Sequence, residues 1–328
     1  MNHSDLPSCD RREFLRKATG LGVVAAPSSV PVIGQAAKAK KIASPTSETL
    51  VATLYKSLSD KQKEQICFDF DHELRSKVDN NWHIVKPRVS SMNKDQQAMV
   101  REIFMGLHSE EYADAVMGQV VHDSGKAGFE SGSVAIFGEP GSGKFEFVYT
   151  GRHCTRRCDG DSLEGAAFGG PIFYGHAADS FNEGPDHKGN AYWFQAKTAN
   201  AVYEALDGKQ RDKALCGFPP RERGNKTVDL APTDDGIEGI RVGDLSADQK
   251  AHVMASLGDM LAPFRQKDRE ESMKLVEAAG VDNLHMAFYK EHDIGDDKYW
   301  DSWQIKGPKM IWLFRGKPHV HTWVNIIA

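Results

Sequence analysis

The chain has 328 residues, of which 40% are hydrophobic and 27% charged, and a formal net charge of −5. That balance fits an ordinary globular fold and excludes low-complexity, collagen-like and disulfide-dense chains. No apolar run approaches the ~20 residues of a spanning helix, and an acidic balance offers no basic face to nucleic acid, so neither a membrane span nor a nucleic-acid partner is expected.

Residues 1–39 read as a twin-arginine export signal. Arg11-Arg12 and Phe14-Leu15 precede a mild apolar stretch from Leu21 to Pro27, and Ala37-Lys38-Ala39 supplies a small-residue cleavage site. The expected partner is the twin-arginine machinery, and the expected location is periplasmic or secreted. Cys67, Cys154, Cys158 and Cys216 remain after the signal. In an oxidising compartment they either pair or stay buried and free.

The remaining chain, 40–328, is expected to form one large α+β domain. A capping-box pattern recurs at Ser59–Gln62, Asn93–Gln96, Asp207–Gln210 and Ser246–Gln249, and predicts four helix starts. The two pairs of boxes are 34 and 39 residues apart, which suggests a repeated helical unit. Helices are predicted over 47–67 and 93–122, within a helical N-terminal part spanning 47–125. Around Ser133 the period changes to two, and 130–176 reads as β-rich. Strands are predicted at Ser133–Phe137, from Phe145 to Tyr149, and across Gly165–Tyr174. Helix returns over 191–216 and 246–279, with 217–245 as a long loop between them. A β-hairpin closes the chain at 309–326. Helices and strands are segregated, so a mostly antiparallel sheet with flanking helices is expected.

Gly138-x-x-x-x-Gly143-Lys144 nearly matches a phosphate-binding loop. However, Phe145 stands where Ser or Thr would hold magnesium, and the residues that follow alternate like a strand. A hairpin turn explains the glycines, and no nucleotide is expected. No Gly-x-Ser-x-Gly elbow is present.

His319-Val320-His321 is the most informative pattern. On a strand, residues i and i+2 share a face, so both imidazoles can hold one ion. His153, at the end of a predicted strand, is the candidate third ligand. His83 and His176 are candidates for a fourth ligand or a proton shuttle. Asp69, Asp71 and Glu146 are candidate general bases or outer carboxylates. Imidazole suits copper, iron and zinc alike. Two other readings stay open. One is a non-catalytic binding protein with a groove lined by Trp82, Trp193, Trp300, Trp303, Trp312 and Trp323. The other is a thiol redox protein using Cys154 and Cys158.

Four segments together carry a family resemblance. They are Leu58–Gln62 with Phe68-Asp69-Phe70-Asp71 and Asn81-Trp82-His83, then Ile136–Gly141 running to Gly151-Arg152-His153, then Pro171–Gly175, and finally Gln304–Pro308 leading to His319-Val320-His321. In order and spacing they resemble the bacterial DUF 3500 family, over roughly residues 47–325. The resemblance implies a Gly-His-His segment in the middle of the chain and a His-x-His near its end. His153 matches the second of the paired histidines. Arg152 replaces the first, and Thr150 stands where the family often has Glu. Together these readings predict an exported protein with a histidine-centred metal site, working as a metal-dependent enzyme on a small molecule.

Overall fold

In the computed structural model, residues 46–176, 190–291, 293 and 299–328 are described. The export signal lies outside them, as do His187 and His292. The first half runs α1 (Ser47–Ser57), α2 (Asp60–Ile66), β1 (Cys67–Phe68), α3 (Lys94–Met105), α4 (Ala113–Asp123), β2 (Ser133–Gly138), β3 (Phe145–Gly151), β4 (Cys154–Cys158) and β5 (Ile172–His176). The second half runs α5 (Phe194–Glu204), α6 (Gly208–Ala214), β6 (Leu215–Cys216), β7 (Ile240–Arg241), α7 (Ala247–Met260), α8 (Gln266–Ala279), β8 (His285–Tyr289), β9 (Ser302–Gly307), β10 (Met310–Arg315) and β11 (Val320–Ile326). With β7 set aside, the two halves have the same element order.

One 11-stranded sheet joins them, in the order β1-β2-β3-β4-β5-β11-β10-β9-β8-β6, with β7 beside β8. Only β1–β2 and β6–β8 are parallel; every other pair is antiparallel. This is the α+β class expected. The halves meet at β5–β11, where His321 pairs with Gly175 and Val320 with His176. The seam is tight. A Cβ on Gly175 would collide with the Val320 carbonyl and lie 3.5 Å from the His153 Cβ, so only glycine fits there.

All four capping boxes form, with both reciprocal hydrogen bonds. The 34- and 39-residue spacings have a direct cause. Gln62 Nε2 donates to Gln96 Oε1 at 2.9 Å, and Gln210 Nε2 donates to Gln249 Oε1 at 3.0 Å. Gln96 and Gln249 also reach back to equivalent carbonyls, Ser57 at 3.0 Å and Ala205 at 2.8 Å. Each pair of helix starts is locked by its glutamines, and the repeated unit extends from helices to strands. Gln96 is 2% exposed. Replacing it by alanine strands the Ser57 and Gln62 partners, and is expected to cost about 1.5–3 kcal/mol in urea unfolding. Gln249→Ala should cost a similar amount.

Several expectations about elements need correction. Each predicted helical run is two helices. The Ser59 and Asp207 caps restart the chain after α1 and α5, Gly106 ends α3, and Pro263 separates α7 from α8. The run Gly165–Tyr174 is not one strand. Phe168, Gly169 and Gly170 all have positive φ, so β5 begins only at Ile172. β8 and β9 lie between the predicted helical stretch and the C-terminal hairpin. β8 reads His-Met-Ala-Phe-Tyr and is buried throughout, so it carries no alternation to read. Gly138 to Lys144 closes the β2–β3 hairpin, with the Glu139 N–H donating to the Lys144 carbonyl at 3.0 Å.

Core packing explains most of the candidate aromatics and thiols. Trp193, Trp303, Trp312 and Trp323 are at most 3% exposed and belong to the packed core. Trp303 stacks on Phe314 across β9–β10, with centroids 5.4 Å apart. The Trp82 Nε1 donates to Thr155 at 2.9 Å. The four described cysteines are free, and burial pushes the Cys154 thiol up to about 11 and that of Cys158 higher still. Such thiols are inert, which removes the support for a redox pair.

A histidine-centred candidate metal site

The β3–β4 connection is a two-residue turn, Arg152-His153, flanked by the Gly151–Cys154 pair. His153 sits there at φ 53°, a left-handed conformation unusual for a non-glycine residue. Its N–H donates to the Asn80 carbonyl at 2.8 Å, and Arg152 bridges to Asn81. This fixes the ring at the end of the sheet seam. The equivalent turn of the second half, between Gly307 and Met310, carries Pro308-Lys309 instead. The site therefore breaks the symmetry of the two halves.

His321 lies on β11 and His319 just before it. The expected i, i+2 geometry is present, with the two Nε2 atoms 3.0 Å apart. Ring centroids of His153, His319 and His321 are mutually 4.8–4.9 Å apart. Two nitrogens on one zinc ion stand about 2.8–3.4 Å apart for bonds of ~2.0–2.1 Å at angles between 90° and tetrahedral. The His319–His321 spacing falls in that range.

Carboxylates set the tautomers. The Asp123 Oδ2 lies 2.9 Å from the His153 Nδ1, and the Glu222 Oε2 lies 2.6 Å from the His321 Nδ1. A carboxylate only accepts, so each Nδ1 carries the proton and each Nε2 lone pair faces the cluster. This is the outer-carboxylate arrangement that orients metal-binding imidazoles and raises their basicity. Glu222 is in turn held by the Arg315 Nε at 2.7 Å. Burial pushes the Glu222 carboxyl up, but His321 and Arg315 together hold it below its ordinary value. Burial pushes His319 down to about 3, with His321 and His153 adding to the effect. Burial likewise takes His321 down to about 4, against the pull of Glu222. Both rings are thus neutral near pH 7, the form that ligates.

A cleft of about 770 Å³ opens beside His321, lined by Asn80, Phe218, Pro219, Pro220, Arg221, Glu222 and Arg315. Phe218 is 70% exposed at its edge. The segment expected to be a mere connecting loop, 217–245, therefore supplies both the outer carboxylate and the cleft wall.

The other candidates lie elsewhere. His176 ends β5 and groups with His122 and Asp123 rather than with the three histidines. Asp69 and Asp71 are exposed beyond β1, an edge strand of the sheet, and His83 is exposed near Arg88. None of these three belongs to either histidine cluster. Glu146 is fully buried between Arg75 at 3.1 Å and Arg157 at 2.5 Å, so it is a structural counter-ion and not a free base. Thr150 accepts from the Ile84 N–H at 2.9 Å and bonds Ser133 at 2.9 Å. It ties loop to strand at the position where the family often has Glu. Sequence reasoning missed Asp123 and Glu222, which lie 30 and 99 residues from the rings they hold.

The family described as a protein of unknown function (DUF3500) matches residues 40–325. The chain belongs to this family. No curated protein and no solved structure matches it. In this DUF3500 chain the histidine cluster is intact despite Arg152 in the central motif.

Asp123 gives a direct check on the outer carboxylates. Asp123→Asn keeps the shape but withdraws the charge behind His153. Metal affinity at the cluster is expected to fall about 10–100-fold, measured by competition with a chromogenic chelator.

Proposed function

We propose that this DUF3500 chain is a metal-dependent enzyme whose ion is held by His153, His319 and His321. The observation that carries the reading is the convergence of three imidazoles, two of them backed by a carboxylate. Copper, iron and zinc all accept this donor set. Three protein ligands leave a position for water or substrate, and such an ion supplies Lewis acidity or an activated water. Asp123 and Glu222 keep the His153 and His321 rings aimed. The cleft beside His321 is the route by which a small molecule reaches the site, with Arg221 and Phe218 at its wall.

Anomalous diffraction tests this reading. Crystals of the natively produced protein, measured above and below the metal's absorption edge, are expected to show one peak about 2.0–2.3 Å from the three Nε2 atoms. A peak elsewhere only, or none after soaking in copper, iron or zinc salts, rejects it.

We also propose export by the twin-arginine route. The family match starts at residue 40, directly after Ala37-Lys38-Ala39, which supports cleavage there. Arg11→Lys with Arg12→Lys should leave the uncleaved chain in the cytoplasm, and normal cleavage in that variant would refute the route.

A further inference from the structure

We propose that His122, Asp123 and His176 form a second metal site, for a divalent first-row cation such as zinc. It is separate from the three-histidine centre and joined to it through the Asp123 carboxylate. The inference rests on the metal reading above only for its neighbour.

His122 and Asp123 close α4, and His176 closes β5, the first half's strand at the seam. One ligand atom from each lies within 4.8 Å of the other two. The Asp123 Oδ1 is 3.6 Å from the His176 Nδ1. That is long for a hydrogen bond, and close to the ~3.4 Å between two ligands of a tetrahedral zinc ion. The His122 and His176 rings have centroids 5.4 Å apart. Asp123 and His176 are buried while His122 is exposed, so the set has a walled side and an open side. Two imidazoles and a carboxylate form a donor set that zinc uses.

Asp123 also shows why these are two sites and not one. Its Oδ2 accepts from the His153 Nδ1, and its Oδ1 faces His176. The His153 Nε2 points the other way, into the three-histidine cluster. The imidazole ring therefore separates the two sets of donors. An ion on Oδ1 draws charge from the carboxylate that supports His153, so filling the second site weakens the first. The Gln119 amide touches the His176 Nδ1 and competes with an ion for that lone pair.

Zinc titration of the chelator-treated full chain, by calorimetry and elemental analysis, tests this. Two equivalents per chain are expected. His122→Ala, which changes an exposed residue, should remove one of them, and so should His176→Gln. His319→Ala with His321→Ala should remove the other. A single equivalent lost only in the His319/His321 variant overturns the second site and leaves the first intact. Zinc lost entirely in either set of variants, with unfolding curves unchanged, means one shared site and also overturns it. No zinc uptake at all rejects both readings.

Discussion

Changing His319 and His321 together to alanine is expected to lower the metal content by one equivalent per chain. The two rings are two of the three candidate ligands at the cluster. Structural zinc sites with four ligands bind with apparent free energies of about 10–16 kcal/mol, or roughly 2.5–4 per ligand. Losing two should weaken binding by about 5–8 kcal/mol, at least about 10³-fold in Kd. His321 is 5% exposed, so far-UV circular dichroism and thermal unfolding must accompany the metal assay. A folded variant with unchanged metal content would remove the cluster from the account. Glu222→Gln keeps the His321 ring and withdraws only the charge behind it, which separates loss of an outer carboxylate from loss of a ligand.

Glu146→Gln should be strongly destabilising. Glu146 and Arg157 are both 0% exposed at their side chains and lie 2.5 Å apart. Arg157 also donates to the Pro171 carbonyl at 2.6 Å, to the Lys77 carbonyl at 2.8 Å, and to that of Arg75. It thereby clamps the 75–77 segment and the entry to β5 onto β4. Without the carboxylate, the guanidinium is left buried with no full counter-charge. Removing one partner of a buried ion pair costs about 3–5 kcal/mol, against a total stability of about 5–15. Urea unfolding followed by tryptophan fluorescence reads this directly. Removing both charges, as Glu146→Met with Arg157→Met, should cost much less, because no uncompensated charge remains. Equal losses in the single and double variants would show that the hydrogen bonds matter and the charge does not.

What was readable from sequence followed from local rules. A capping box spans four residues and needs no tertiary information, so all four helix starts were legible. The His-x-His pattern was legible for the same reason, because a strand alternates faces wherever it lies in the sheet. The Gly138–Lys144 turn was also set locally. Long-range features were hidden. The sheet order turns back on itself at β5–β11, which brings residue 153 beside 319 and 321. Nothing in the spacing of His122, Asp123 and His176 marks them as neighbours. Glu222 lay in a Pro- and Gly-rich stretch that looked like a connection. Glu146, a candidate base by its residue type, is a buried counter-ion of Arg75 and Arg157, and the Arg157 contact is the part that only the fold reveals. Four of the six tryptophans that suggested a groove, Trp193, Trp303, Trp312 and Trp323, are instead buried in the core.

The two-half architecture puts the site in context. Helix starts, edge strands and sheet order repeat, while the histidines, Asp123 and Glu222 fall at one end of the seam. The repeated parts carry stability. The three-histidine cluster lies where the repeat fails, at the Arg152-His153 turn and the chain entering β11.

The most direct test of the metal-centred account is elemental analysis by mass spectrometry of the untagged protein, purified after native export. At least one near-stoichiometric equivalent of copper, iron or zinc per chain is expected, retained through dialysis and removed by a strong chelator. A protein that carries none of these, and takes up none on titration, would contradict it and leave the three imidazoles as a packed, hydrogen-bonded group beside an empty cleft.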